Sequence, residues 1–454
     1  MILIISILSF FFIMTTNIKL LRSESQFCIF NNEDFNLFDI NQFSYDVISS
    51  FLENRNISET ANIYNLEEDD IRSLLDRIGY KSSPAVSHEN VSTKAIDRIT
   101  LHVSNDCNLR CKYCYASGGA YGKSRELMTI ETAERFVDYC CENFEKVRNI
   151  VFFGGEPFLN FPVIKLVCEK FHKKLQNGEI QYLPRFGAIT NGTIQSPKVL
   201  SLIENYFSFL TVSIDGPKDI NDLNRITDSG MGSFDRIYNF LRQISSFPNL
   251  NISIEATYTL QHIQHGYTRD MIREYFIKEF NIKADVVDEM SLDNSNSVIS
   301  ELENPLESPW FDSILKTIVC KEHETKCQIL RSIFAISTSG DIYPCHMNVG
   351  DGMKPVTSIW SPKDNLFHII KSSKLYSLKN NKVCHTCWAK NICGGCARLS
   401  FYDPEKKEYS HTPIESKCSD FKRIVESVLL KICEVRKNSE LWKDLLTRVN
   451  TSNN

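Results

Sequence analysis

The sequence has no internal repeat and no low-complexity tract, which excludes repeat arrays and compositionally biased segments. It has no excess of positive charge: 51 Lys and Arg against 56 Asp and Glu give a formal net charge of −5. That balance argues against a surface that coats nucleic acid. The apolar run Met1 to Ile13 is too short to cross a bilayer, which takes about 20 apolar residues. No cationic stretch precedes it and no small-x-small cleavage site follows, so it does not read as an export signal. Met14 offers a second start, and the expected location is cytoplasmic, with no membrane and no nucleic acid as partner.

What the chain has is cysteine. There are 16, unevenly placed: three at 107–114 and eight between Cys320 and Cys418. Disulfide-dense domains are usually short, whereas this chain has 454 residues. Close C-x2-C and C-x3-C spacings in a long chain read better as metal or cluster ligands.

Residues 18–40 carry short mixed runs that predict two or three small strands. Two helical faces follow, Phe43/Val47/Ile48/Phe51/Leu52 and Ile71/Leu74/Leu75/Ile78. Asn65 with Glu68 predicts a cap for the second, and Gly79 its end. Strands then helices make a small winged-helix-like module, followed by a linker over 80–97. From residue 98, six candidate strands (98–103, 149–153, 185–190, 209–214, 252–259, 284–288) alternate with five helical stretches. That alternation predicts an α/β fold with a parallel sheet, open or part-barrel, with functional residues just past the strand ends. A last helix is expected within Cys418–Val449, with Phe421, Ile424, Val425, Val428 and Ile432 on its buried face.

Cys107, Cys111 and Cys114 form C-x3-C-x2-C in a loop leaving the first of those strands. A cubane [4Fe–4S] cluster normally takes four thiolates, so three leave one iron open for a further ligand. The plain alternative is a zinc knuckle or surplus thiols. The triplet, with Tyr113 before its last Cys, resembles the radical S-adenosylmethionine (SAM) superfamily. Gly154-Gly155-Glu156-Pro157 after the second strand is similar to that family's GGEP motif. Thr190-Asn191-Gly192 and Ser213-Ile214-Asp215-Gly216-Pro217 follow the third and fourth strands, with Arg225 beyond. The resemblance implies a partial (β/α)6 barrel, with Tyr113, Gly154, Gly155, Glu156, Ser213 and Arg225 in contact with SAM. In the family, the glycines let the backbone approach SAM's methionine part, and the motif meets its amino group. It further implies reductive SAM cleavage, a 5′-deoxyadenosyl radical that abstracts hydrogen, and an electron donor such as flavodoxin or ferredoxin.

Downstream, Cys327, Cys345, Cys384-x2-Cys387-x5-Cys393-x2-Cys396 and Cys418 resemble the SPASM extension of radical SAM enzymes, which carries two auxiliary [4Fe–4S] clusters. That resemblance assigns Cys320, Cys327, Cys345 and Cys396 to one and Cys384, Cys387, Cys393 and Cys418 to the other. Two zinc sites would use the same thiolates. Here Gly394 and Gly395 stand alone before Cys396, a form also seen in sactipeptide-type maturases. His346 stands where related sulfatase-maturating enzymes have a proton-accepting Asp, so it is either a base or a structural residue. The other five cysteines (Cys28, Cys140, Cys141, Cys168, Cys433) read as buried small hydrophobes.

Residues 14–97 hold fourteen acidic and seven basic side chains, a balance of −7. That sign opposes DNA binding. The module instead resembles the RiPP recognition element, which binds the leader of a ribosomally made precursor peptide as an added strand. Phe27–Phe30 or Asn36–Ile40 would supply the edge; the alternative is a structural cap. The expectation is three parts, 14–80, 98–300 and 310–435, forming Cys-sulfur-to-carbon thioethers in a precursor peptide as sactipeptide and ranthipeptide maturases do. Rivals are a carbon–carbon or carbon–oxygen peptide cyclase, a sulfatase-type formylglycine-forming maturase, and a non-catalytic zinc-binding regulatory protein.

Overall fold

In a computed structural model, the described residues are 17–81, 95–288, 305–321, 332–350, 354–361, 366, 381–393, 396, 400–403, 406, 408–410 and 412–451. The apolar N-terminal run, most of the 289–308 segment and Cys327 lie outside them. Strands β1 (Ile18–Arg22), β2 (Phe27–Asn31) and β3 (Leu37–Ile40) form an antiparallel sheet in that order. Helices α1 (Gln42–Asn54), α2 (Ile57–Tyr64) and α3 (Glu68–Arg77) follow. The Asn41 side chain caps α1 by accepting from the Ser44 N–H at 2.8 Å. The expected cap at Asn65 is not there. Asn65 ends α2 in the left-handed region (φ 51°), and Glu68 instead accepts from Ser58 and Arg72.

The small sheet buries both faces. Ile18 and Ile29 pack with Val47, Ile48, Phe51, Ile71 and Leu75 of the helices. Leu21, Cys28, Phe30 and Leu37 face the other way, into a core shared with residues 309–320 and 415–435. β2 is the central strand, so Phe27–Phe30 cannot offer a free edge, and that expectation is withdrawn. β3 is an edge strand, and its Leu37 carbonyl already accepts from Arg436 Nη1 at 2.8 Å.

The second sheet has β4 (Ala95–Ser104), β5 (Lys146–Gly154), β6 (Arg185–Thr190), β7 (Phe207–Ser213), β8 (Asn251–Tyr258) and β9 (Asp285–Asp288) side by side and parallel. The five expected helices are α4 (Ile130–Asn143), α5 (Phe161–Gln176), α6 (Pro197–Tyr206), α8 (Phe234–Ile244) and α10 (Arg269–Phe280). Two short ones, α7 (Lys218–Asn224) and α9 (Leu260–Gln264), were not expected. One face of the sheet packs on these helices through residues such as Leu101, Phe152, Phe186, Leu210, Val212 and Ile254.

The sheet is wider than six strands. β10 (Ile333–Ile336) runs parallel to β4 on its other side, and β11 (Asp341–Tyr343) and β12 (Thr357–Ser358) add antiparallel beyond it, making nine strands. The region carrying the second cysteine group is thereby joined to the first strand of the α/β unit. It also contains α11 (Pro309–Cys320), the short α12 (Lys382–His385), the hairpin β13 (Tyr402–Asp403) and β14 (Glu408–Tyr409), and α13 (Glu415–Val435) with α14 (Ser439–Thr451). The expected last helix is therefore two. Ile424, Val425, Val428 and Ile432 are buried on α13 as expected, with Phe421 packed against the same cluster. Among the described residues no helix is long and apolar enough to cross a membrane.

Candidate active site

The cysteine loop leaves the C-terminal end of β4 and is pinned from two sides. The Gly155 N–H donates to the Ser104 carbonyl (2.9 Å) and the Glu156 N–H to the Asp106 carbonyl (2.8 Å). On the other side, Arg110 and Lys112 N–H groups donate to the Ile226 and Asn224 carbonyls at 2.6 and 3.0 Å. The GGE glycines have a reason the sequence did not reveal. A Cβ on Gly154 (φ 135°) would lie 2.0 Å from the Ser104 carbonyl oxygen, and one on Gly155 2.3 Å from that of Asp106. These glycines let the second strand end close against the cysteine loop.

Glu156 is wholly buried, and its carboxylate accepts from Thr190 Oγ1 (2.8 Å), the Asn191 N–H (2.8 Å) and the Phe158 N–H (3.1 Å). Burial nonetheless pushes its carboxyl up to about 7, because those bonds only partly offset the lost hydration. The carboxylate thus ties the end of β5 to the end of β6. The network continues to the cysteines: Asn191 Nδ2 donates to Asn108 Oδ1 at 2.9 Å, and Asn108 Nδ2 to Thr193 Oγ1 at 2.7 Å.

Tyr113 and Arg225, 112 positions apart, meet. Arg225 Nη1 donates to the Tyr113 hydroxyl at 2.5 Å, and that hydroxyl donates to Asp215 at 2.8 Å. Asp215 is fully buried and lies 3.6 Å from Arg225. Its role was not legible beforehand, although it stands within a motif already singled out. Ser213 ends β7 and pairs in register with Glu255 of β8. Burial, and then repulsion from Asp285, raises the Glu255 carboxyl.

Cys107, Cys111 and Cys114 share the loop. Burial pushes the Cys107 thiol up to about 12, with Glu156 adding to it, and raises that of Cys111 as well. Neighbouring sulfurs contribute in the same direction. Three soft donors held together on one loop suit a cluster whose binding would draw off their protons. In the second group Cys384 lies within electrostatic reach of Cys387, Cys393 and Cys418, though Cys418 stands on α13 and the others near α12. Burial pushes the Cys384 thiol to about 12, and the Cys418, Cys387 and Cys393 sulfurs reinforce the shift. Cys320 ends α11, Cys345 follows β11 and Cys396 lies between α12 and β13. Their expected companion Cys327 is outside the described residues. Among the described residues no three His, Cys, Asp or Glu side chains converge tightly enough for a single metal ion. A cubane makes a different demand, because its ligands go to separate irons.

His346 Nδ1 stands 3.5 Å from Cys345 Sγ. Burial, aided by Arg98, pushes its pKa down to about 4, so the ring is neutral at pH 7 and a weak base. Phe153 meets it edge-on at 5.1 Å and meets His102 likewise at 5.1 Å. Of the five cysteines read as buried hydrophobes, Cys28, Cys140, Cys168 and Cys433 are buried, and Cys141 is half-buried against the main core.

Comparison with known proteins agrees with this geometry. The Radical SAM superfamily model matches residues 101–275, from the middle of β4 into α10. The radical SAM cyclopropyl synthase TigE of Paramaledivibacter caminithermalis is 25% identical over 408 residues, 81% of this chain and 80% of that protein. A cysteine-type anaerobic sulfatase-maturating enzyme of Clostridium perfringens is 24% identical over 370 residues, 74% of this chain and 96% of that protein. The structure of native anSMEcpe with bound AdoMet shares the fold, with a TM-score of 0.55 at 21% identity, covering 75% of this chain and 100% of that one. The chain carries a radical SAM domain. It is related to a radical SAM cyclopropyl synthase and to sulfatase-maturating enzymes, and the domain's family implies a [4Fe–4S] cluster and SAM.

Proposed function

We propose that this enzyme modifies a ribosomally made precursor peptide and closes a thioether between a Cys sulfur and a carbon of another residue. The observation that carries the peptide reading is the pairing of two cysteine sites in one chain. One is the pinned loop of Cys107, Cys111 and Cys114; the other is Cys384, with Cys387, Cys393 and Cys418 within its electrostatic reach. Similarity to a sulfatase-maturating enzyme along 96% of its length supports a polypeptide substrate. So does the shared fold of anSMEcpe, which has also been seen with AdoMet and the Cp18Cys peptide.

Cys107, Cys111 and Cys114 would hold the cluster that meets SAM, and that pair, when bound, supplies one-electron cleavage of the sulfonium and a radical able to take hydrogen from carbon. The chain's own residues position and enclose. Gly154 and Gly155 set the cysteine loop, Tyr113, Ser213 and Arg225 would face SAM, and Glu156 locks the ends of β5 and β6 together. Cys384, Cys387, Cys393 and Cys418 would hold one auxiliary cluster, and Cys320, Cys327, Cys345 and Cys396 a second. The neutral ring of His346 packs beside Cys345 and is a poor proton acceptor. We assign 14–80 to leader recognition, 98–300 to the radical SAM core and 310–435 to the auxiliary clusters. A leader strand would add at β3. Flavodoxin or ferredoxin would deliver electrons.

A second reading has its own support: the relative TigE is a cyclopropyl synthase, which favours carbon–carbon closure. One experiment separates the two. The reconstituted enzyme is incubated anaerobically with SAM, dithionite and the precursor encoded beside its gene. The product is then alkylated with iodoacetamide and sequenced by mass spectrometry. Loss of two hydrogens with one Cys no longer alkylated supports the thioether. The same loss with every Cys alkylated replaces it with carbon–carbon closure. Absence of 5′-deoxyadenosine removes both.

A further inference from the structure

The buried contact at the end of β7 points to a residue that acts on SAM without touching it. We propose that Asp215 is a positioning residue that fixes Tyr113 and Arg225 in the geometry that receives SAM. This rests on the reading of the site as a SAM site.

The phenol of Tyr113 has one proton to give, and it goes to Asp215, 2.9 and 2.8 Å from the two carboxylate oxygens. Its lone pairs face Arg225 Nη1 at 2.5 Å. Donating to one residue and accepting from the other, the hydroxyl cannot turn without losing a charge-assisted bond on either side. Arg225 is 6% exposed, and its Nε has no hydrogen-bond partner among the described residues. Its Nη1 is spent on Tyr113, so Nε is left as a buried donor without a partner among those residues. A buried donor of that kind is costly to leave unmade.

Asp215 is itself over-determined. Its carboxylate accepts from the Thr257 N–H at 3.2 Å, its own N–H donates to Asn221 Oδ1 at 3.2 Å, and its carbonyl is 2.9 Å from His262 Nε2. His262 Nδ1 accepts from the Thr259 N–H at 3.0 Å, which leaves Nε2 to carry the proton that meets Asp215. Asp215 is thereby held by β8 and by α7 and α9 at once. Tyr113 lies between Cys111 and Cys114, and Arg225 adjoins the segment that takes the Arg110 and Lys112 N–H groups. The carboxylate is the point where the sheet fixes both the cysteine loop and the arginine. Removing its charge frees the phenol and lets the guanidinium turn.

The test uses the full-length enzyme with its clusters reconstituted. D215N, Y113F and the double variant are measured for iron content, for SAM affinity by equilibrium dialysis, and for the change that SAM causes in the electron paramagnetic resonance of the reduced protein. Expected are wild-type iron in all three, a SAM Kd raised at least tenfold in D215N, a smaller rise in Y113F, and a double variant no weaker than D215N. The SAM-induced spectral change shrinks in the same order. A D215N protein with full iron and a Kd within twofold of wild type overturns the proposal. So does a double variant whose loss is the product of the single losses, because the residues would then act independently. If D215N loses iron, Y113F decides: an unchanged Kd there also overturns it. A wild-type protein that holds its clusters but binds no SAM refutes the SAM-site reading itself, a separate outcome.

Discussion

Gly155 lies against Asp106 so closely that a Cβ on the glycine would stand 2.3 Å from the aspartate's carbonyl oxygen. The end of β5 and the start of the cysteine loop are therefore one packed joint. G155A must part them, an overpacking of the kind that costs about 1–3 kcal/mol. The variant is expected to fold but to lose about four of the about twelve irons that three cubanes bring. Gly178, where a Cβ would meet nothing within 4 Å but the left-handed backbone (φ 74°) strains any side chain, gives the control G178A: it carries backbone strain without crowding the cysteine loop and keeps its iron. Full iron in G155A would separate the joint from cluster binding.

The second cysteine group makes a sharper prediction. C384S, C387S, C393S and C418S should each cut the iron content by about the same amount, up to the four irons of one cubane, since each thiolate would hold a separate iron of the same cluster. SAM binding should survive in each. C140S, in a wholly different and buried place, should lose none. Iron assay and visible absorption decide it; unequal losses among the four would break the set.

Glu156 has a pH signature. Its folded pKa, about 7, lies above the ordinary carboxyl value of 4.5 because the group is buried. The folded state thus holds a proton that the unfolded state releases. Below about 4.5 both states are protonated and nothing is lost; above about 7 the full cost of a buried charge is present. Wild-type stability should fall relative to E156Q as pH rises across that window, by at most about 3 kcal/mol. Urea unfolding of the cluster-free chain at several pH values measures it, and parallel wild-type and E156Q curves would refute it.

The two ends of the described chain are joined by Arg436 and Lys437. Arg436 gives a charged hydrogen bond to the Leu37 carbonyl at 2.8 Å, whereas Lys437 makes an exposed ion pair with Asp39 at 2.9 Å. R436A should destabilise the N-terminal sheet by about 1–2 kcal/mol. K437A should cost under about 0.5 kcal/mol, as exposed pairs do. Hydrogen exchange of the β3 amides reads both; equal effects would contradict the argument.

Much of the α/β unit was legible. The strand 185–190 and the helix 269–280 have the predicted ends, because the strand is a short run between Pro184 and Asn191-Gly192 and the helix is bounded by the Thr268 cap and by Asn281 in the left-handed region. The helices 218–224 and 260–264 were not seen, being too short to show a period. β10 escaped for another reason: it is a four-residue strand whose partner, Arg98 to Leu101, lies far away in sequence. The break between α13 and α14 falls in Arg436-Lys437-Asn438, a polar stretch that ordinary helices also contain. At the site, cysteine spacing announced itself, since the ligands of one loop are neighbours in sequence. The Tyr113–Asp215–Arg225 contact and the Asn108–Asn191 link did not, because hydrogen bonds between distant residues leave no spacing to read.

The small N-terminal sheet has a consequence for how the protein is made. Its Leu21, Cys28, Phe30 and Leu37 pack on Ile424, Val428 and Ile432 of α13. On the ribosome the sheet emerges early, yet the helix that covers this face comes near the end of translation. Until then an apolar face stands open to water, and the module is a half-finished product that other chains or chaperones can find. Because α13 also bears Cys418, closing that face late sets one member of the second cysteine group in place at the same moment.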